Sequence, residues 1–351
     1  MRVPGLLAIG LLLSSAAGCR SEGHAGADEP TSRQGSKVSA AELAALRPAL
    51  TTYADIAHAA YADAAGGARA LLGAVNALLA APSAESLTNA RKAWLAARRP
   101  YQQTEFLRFY DGPIDATELL INTWPIDESY VEAGVADGRK GILDDKTKYP
   151  ELSRTLLSSL NAQEGETSIS TGYHVIEFLL WGQDTDPNGP GNRAHTDFDA
   201  KVSPLADRRG RYLQLATELL IGELDQLAQA WAAGSENNYR ARFLNMPPLE
   251  AFGLAIKGMG TLSGPELSGE RLTVAYETKD QENEHSCFSD NTAQDLVDDA
   301  LGLENVCSGR YQRADGSVLA GTGLCSAIGV RDRALGERLE REMKESTLAL
   351  R

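Results

Sequence analysis

The stretch Gly172-Tyr173-His174-Val175-Ile176-Glu177-Phe178-Leu179-Leu180-Trp181-Gly182-Gln183-Asp184 decides how the rest of the chain is read. Between its glycines almost every residue is apolar, so a helix here has no solvent face and belongs inside the protein. His174 and Glu177 are the exceptions. Standing three residues apart, they rise about 4.5 Å along the axis and project from one face. A buried carboxylate is costly unless something compensates it, so Glu177 needs a partner. A metal ion shared with His174 is one answer, and a hydrogen bond within the pair is the plainer one.

Upstream, Ser168, Ser170 and Thr171 offer capping hydroxyls for this helix, and Gly182 with the Asp-, Pro- and Gly-rich segment 184–191 ends it. Asp184, Asp186, Asn188 and Gly189 imitate the opening of a calcium loop. The twelfth position is His195 rather than a bidentate Glu, however, and Pro187 and Pro190 interrupt it, so the segment reads as an ordinary loop.

Helical periodicity continues in both directions. Leu43, Leu46, Leu50, Tyr53, Ala57, Ala60, Leu71, Val75 and Leu78 recur at steps of three and four or their multiples, predicting a helix over 39–81 with a break at Gly66-Gly67. His58 falls among its packing positions. A second helix is expected over 84–110, carrying Glu105 and Arg108 on one face, where a structural salt bridge at the helix end is one reading and part of a site the other, followed by loop over 111–127 and a connection over 134–150. Further helices are expected over 151–161, 198–233 and 236–262, the last broken at Pro247-Pro248, then 293–301 and 330–349. No alternating strand pattern appears. Glu282 and His285 repeat the spacing of the opening pair in reverse, while Ser289 and Asp290 read as caps for the helix near Thr292.

The first residues carry an address. Arg2, the apolar run 6–13 and the small residues Ser15-Ala16-Ala17-Gly18 before Cys19 read as a lipoprotein signal peptide. Cleavage after Gly18 would leave Cys19 acylated and 19–37 as a flexible tether, His24 included. The formal net charge is −14, and loss of 1–18 leaves 33 basic against 48 acidic residues. That balance excludes nucleic acid as a partner and suits an exported protein. Of Cys287, Cys307 and Cys325, three pairings are open. Cys307 with Cys325 is favoured because it closes a Gly-rich loop, and the absence of Cys-x-x-Cys argues against a zinc-thiolate site.

Three stretches, 100–115, 172–184 and 269–292, together resemble the imelysin-like family of iron-regulated envelope lipoproteins. The resemblance rests on Gly172-x-His174-x-x-Glu177 with its apolar sequel, and on Tyr101-x-x-x-Glu105. It implies an all-α fold of two related four-helix-bundle-like domains, 38–195 and 196–351, with a cleft between them. It also implies a role in iron supply, in the bacterial cell envelope, facing the periplasm or exterior. Iron or another divalent metal, zinc included, would be held by His174, Glu177, Glu105, His285 and Glu282, with Arg108 and Asp111 behind them. The partners implied are a metal ion, a membrane reached through the lipid anchor, and an envelope transport protein. The peptidase name attached to the family finds little chemistry here. A zinc peptidase helix wants His-Glu-x-x-His, whereas this helix has one His, and no Gly-x-Ser-x-Gly elbow is present. Two further readings are a metallopeptidase in which Glu177 or Glu282 activates water, and a protein- or haem-binding module without catalysis.

Overall fold

Ser39 opens the first helix with a capping box. Its hydroxyl accepts from the Glu42 N–H, and the Glu42 carboxylate accepts from the Ser39 N–H. The computed structural model describes residues 38–133, 140–185 and 189–351, apart from the Glu282 side chain. The signal peptide, Cys19, the tether and much of the calcium-loop imitation lie outside the described residues.

Helix α1 (Ala40–Ala80) runs 41 residues without the expected break. Gly67 has a packing role instead: a Cβ there would lie 2.8 Å from the Ala97 Cα, so glycine lets α2 (Ala84–Gln102) approach. Helix α2 stops at Gln102 rather than 110. Pro100 removes a donor from its last turn, a 3-10 turn (Glu105–Leu107) follows, and Phe109 and Asp111 take left-handed backbone that no helix continues.

Helix α3 (Glu118–Ile121) lies within the stretch read as loop, α4 (Glu128–Val131) just beyond it and α5 (Arg154–Leu160) where a helix is expected, and they lead to α6 (Tyr173–Trp181). Gly172 caps α6 at φ 92 with no side-chain cap, so the expected hydroxyl caps are absent; Ser170 donates to the Leu157 carbonyl instead. A 3-10 turn at His195–Phe198 delays the next helix, α7 (Ala206–Trp231), past its predicted start. Helices α8 (Tyr239–Asn245) and α9 (Pro248–Thr261) follow, and α9 passes through a π-helical segment (Leu262–Thr273) into α10 (Val274–Thr278). Helix α11 (Thr292–Ser308) leads to a hairpin, β1 (Arg310–Gln312) and β2 (Val318–Ala320), and then to α12 (Leu324–Arg331) and α13 (Arg333–Leu350).

The fold is all-α apart from that hairpin, whose three-residue strands are too short to leave an alternating signature. Tyr311 pairs with Leu319, and Cys307 is joined to Cys325 by a disulfide that brackets the hairpin. Cys287 is buried and takes no part in a disulfide. Helix α1 packs along both α2 and α7 and also meets α9, α11 and α12. The apolar residues of α1 belong to one continuous core with those of α7 and α11. Among the described residues no helix is long and apolar enough to cross a membrane.

Candidate functional site

Helix α6 is buried on every side, and its two polar residues face partners that arrive from far along the chain. His174 and Glu177 are 1% and 0% exposed. Arg98 Nη2 on α2 donates to His174 Nε2 at 3.4 Å, which leaves the imidazole proton on Nδ1, 2.9 Å from Glu177 Oε2. The other carboxylate oxygen, Oε1, accepts from the Ser289 N–H at 2.9 Å and its hydroxyl at 2.6 Å. Ser289 therefore serves Glu177 and does not cap α11, whose N-cap is Asn291.

Arg98 is the hub of this centre. It is wholly buried and donates from Nε to Asp295 Oδ2 at 3.2 Å and from Nη1 to the side-chain Oδ1 of Asn122. The ring of Tyr173 lies 5.1 Å from its guanidinium carbon, with Trp94 and Tyr101 beyond. His285 approaches from the other side: its Nε2 is 3.3 Å from Asp295 Oδ2 and 3.2 Å from Gln102 Nε2, and its ring centroid is 6.4 Å from that of His174. Trp124 closes over His174 at 5.0 Å between centroids.

Burial dominates the electrostatics. It pushes the Glu177 carboxyl up to about 8, against the downward pull of the Ser289 donors and Arg98. Both imidazoles are held well below their ordinary range, by burial first and then by neighbouring positive groups, including Arg98 and Arg271. They are consequently neutral at physiological pH, the form in which imidazole binds a cation.

A second cluster adjoins the first. Arg271, on the π segment, donates to Glu105 Oε2 at 2.6 Å, to Asp299 Oδ2 at 2.8 Å and to Glu266. Arg108 donates to Glu105 at 2.8 Å. These two arginines hold the Glu105 carboxyl down at about 2 despite burial. A cavity of about 310 Å³ is lined by Arg108, Glu118, Trp124, Glu266, Arg271 and His285, and so joins the two clusters.

The expected ligand set is thus only partly assembled. His174 and Glu177 are bonded to each other, and His285 lies nearby, its ring 6.4 Å from that of His174 and its Nε2 turned to Asp295 and Gln102. Glu105 is instead the partner of Arg108 and Arg271, because two guanidinium groups compensate its charge at close range. Glu282 and His285 do not share a helical face, since a 3-10 turn (Gln281–Asn283) ends between them. Asp111, exposed and in left-handed backbone, lines a different hollow with Tyr239 and Arg242. Among the described residues no three His, Cys, Asp or Glu side chains stand grouped to hold a metal ion. Sequence reading missed Asp295, Asp298 and Asp299, although their spacing of three and four sets them on one helix face. It also passed over the central part played by Arg98, since an arginine on an amphipathic helix ordinarily reaches for water.

Known proteins share this arrangement of chain. The Imelysin family model (Peptidase_M75) matches residues 57–351. Iron-regulated protein A of Synechococcus elongatus is 27% identical over 298 residues, covering 83% of this chain and 70% of that protein. Two crystal structures share the fold. One, described as an iron-regulated protein A precursor from Parabacteroides distasonis, superposes with a TM-score of 0.65 at 19% identity, over 90% of this chain and 87% of its own. The other, an imelysin-like protein from Psychrobacter arcticum, gives 0.57 at 17% identity, over 88% and 84%.

Proposed function

The chain belongs to the imelysin family, and from that premise we propose that it is a cell-envelope protein of iron supply that takes up iron or another divalent cation as cargo. One observation carries the reading. The His174 imidazole nitrogen, an Asp295 carboxylate oxygen and the Asn122 amide oxygen converge on a single buried positive charge, the Arg98 guanidinium. That is a donor set for a cation, and it suits iron, manganese or zinc. Arg98 and an incoming ion are alternatives for the same donors. His285, which lines the cavity and touches Asp295, links the cavity to this donor set. Glu177 holds the His174 ring through Nδ1, the part carboxylates play behind metal-binding histidines. The Synechococcus relative's name, iron-regulated protein A, points the same way. Anchoring through Cys19 and delivery to an envelope transport partner belong to the same proposal.

A peptidase reading has less to draw on. Glu177, the natural candidate for activating a water, has both oxygens engaged by His174 and Ser289. Equilibrium dialysis of the purified chain against ferrous iron, manganese and zinc at micromolar concentration tests the proposal. Uptake by the wild type, weakened at least about tenfold in His174→Ala, is expected for loss of a ligand. No uptake by the wild type overturns it. Cleavage of a peptide library by the metal-loaded wild type but not by Glu177→Gln would favour the peptidase.

A further inference from the structure

On the outer side of α2 the chain forms a second cavity, of about 620 Å³, between α2, α11 and the hairpin. Its lining carries four arginines, Arg99, Arg310, Arg313 and Arg351, and one acid, Glu304. In a chain of net charge −14 this concentration of positive charge is unusual. Two of the arginines are fixed from behind by buried carboxylates. Arg313 donates through Nε and Nη2 to both oxygens of Asp63 at 2.7 to 3.0 Å, and Asp63 also accepts from the Tyr311 hydroxyl and the Ala314 N–H. Arg99 donates through Nε to Asp298 at 3.2 Å. Among the described residues, Nη1 of Arg313, both terminal nitrogens of Arg99 and the whole Arg310 guanidinium have no partner. Arg310 is exposed at the rim.

We infer that this cavity is a binding site for a small molecule bearing a phosphate monoester. Guanidinium forks match phosphate oxygens two by two, and several forks around one space suit a dianion better than a single carboxylate. The cavity exceeds a bare phosphate and falls in the range of small-molecule sites. Leu301, Pro100 and the buried Tyr311 supply apolar wall for an organic body. Pre-fixing Arg99 and Arg313 lowers the ordering cost of binding. The disulfide at the base of the hairpin and the Asp63 bonds hold that wall against α1 and α11.

The test is calorimetric titration of the full chain with glycerol 3-phosphate and, separately, with inorganic phosphate. Flotation with phosphatidylcholine vesicles, with and without phosphatidic acid, separates a free ligand from a lipid headgroup. Saturable binding of glycerol 3-phosphate is expected, weakened about tenfold in both Arg310→Gln and Arg99→Gln, the worth of one charge-assisted contact. His174→Ala should leave it unchanged, so failure of the cation proposal is read separately. Binding only to phosphatidic acid vesicles, lost in the same variants, identifies a headgroup as the source. Absence of binding to every phosphate probe at millimolar concentration, or equal affinity in wild type and both variants, overturns the inference. Arg310 has no ion-pair partner, so its variant does not put folding at risk.

Discussion

Arg98 and Arg99 are sequence neighbours that reach α11 with the same bond, Nε to a carboxylate oxygen at 3.2 Å, on Asp295 and Asp298 respectively. Their surroundings differ completely. The Arg98 side chain is 0% exposed and the Arg99 side chain 54%. Equal geometry therefore stands for unequal energetics: both aspartates are buried, but Arg98 has only the interior to turn to, whereas the half-solvated Arg99 can fall back on water and Asp298 on other donors. A helix turns about 100° per residue, so one dipeptide can supply both the cation of the interior centre and a wall of the outer cavity.

The sharpest way to break this contrast is Arg98→Ala. Stranding Asp295 should cost about 3 to 5 kcal/mol of unfolding free energy, read by urea denaturation. A loss as small as that of a surface pair would show that water already reaches the centre.

Glu177 offers the next largest effect. Its carboxyl is raised from an ordinary 4.5 to about 8, so the folded state holds a proton that the unfolded state releases. Stability is then fullest below the unfolded value and falls as pH rises from about 4.5 towards 8. In the presence of a chelator, Glu177→Gln should flatten this decline, gaining on the wild type by on the order of 3 kcal/mol between pH 5 and 8. Parallel pH profiles for the two proteins would mean that Ser289 and Arg98 offset burial entirely.

Glu105 has the opposite sign. Held down to about 2 by Arg108 and Arg271, it contributes stability above its unfolded value that is lost as pH falls through its folded one. Glu105→Gln should cost about 3 kcal/mol at pH 7, and the gap should close between pH 4.5 and 2. The smallest change belongs to Arg99→Ala, below about 1 kcal/mol. Asp298 would keep the donors of Gln103 and Gln294, at 3.1 and 2.9 Å.

Much of this was legible in the sequence because helices write their burial at a period the eye can follow. The stripe Leu46, Leu50, Tyr53 and Ala57 of α1 and the wholly apolar α6 needed no tertiary information. Gly67 was misread because a glycine that breaks a helix and one that admits a neighbouring helix look alike until Ala97 is known to face it. The pairing of His174 with Glu177 was readable at three residues' distance. Its completion by Ser289, 112 residues from Glu177, left no local mark, since a serine before a helix also reads as a cap. The bond of Glu105 to Arg108 was readable in the same way, whereas its second partner, Arg271, lies 166 residues away. A short motif says which side chains share a face, but not which arginine the fold will bring to them.

The bonds that Asp63 makes to Tyr311, Arg313 and Ala314 span about 250 positions of chain. A polypeptide is made from its N-terminus, so α1 emerges long before the hairpin and the later helices that cover it. Its apolar stripe is covered largely by α2 and α7, but its buried aspartate must wait for partners in the last sixth of the sequence. Closing such distant contacts makes folding late and slow rather than stepwise along the ribosome.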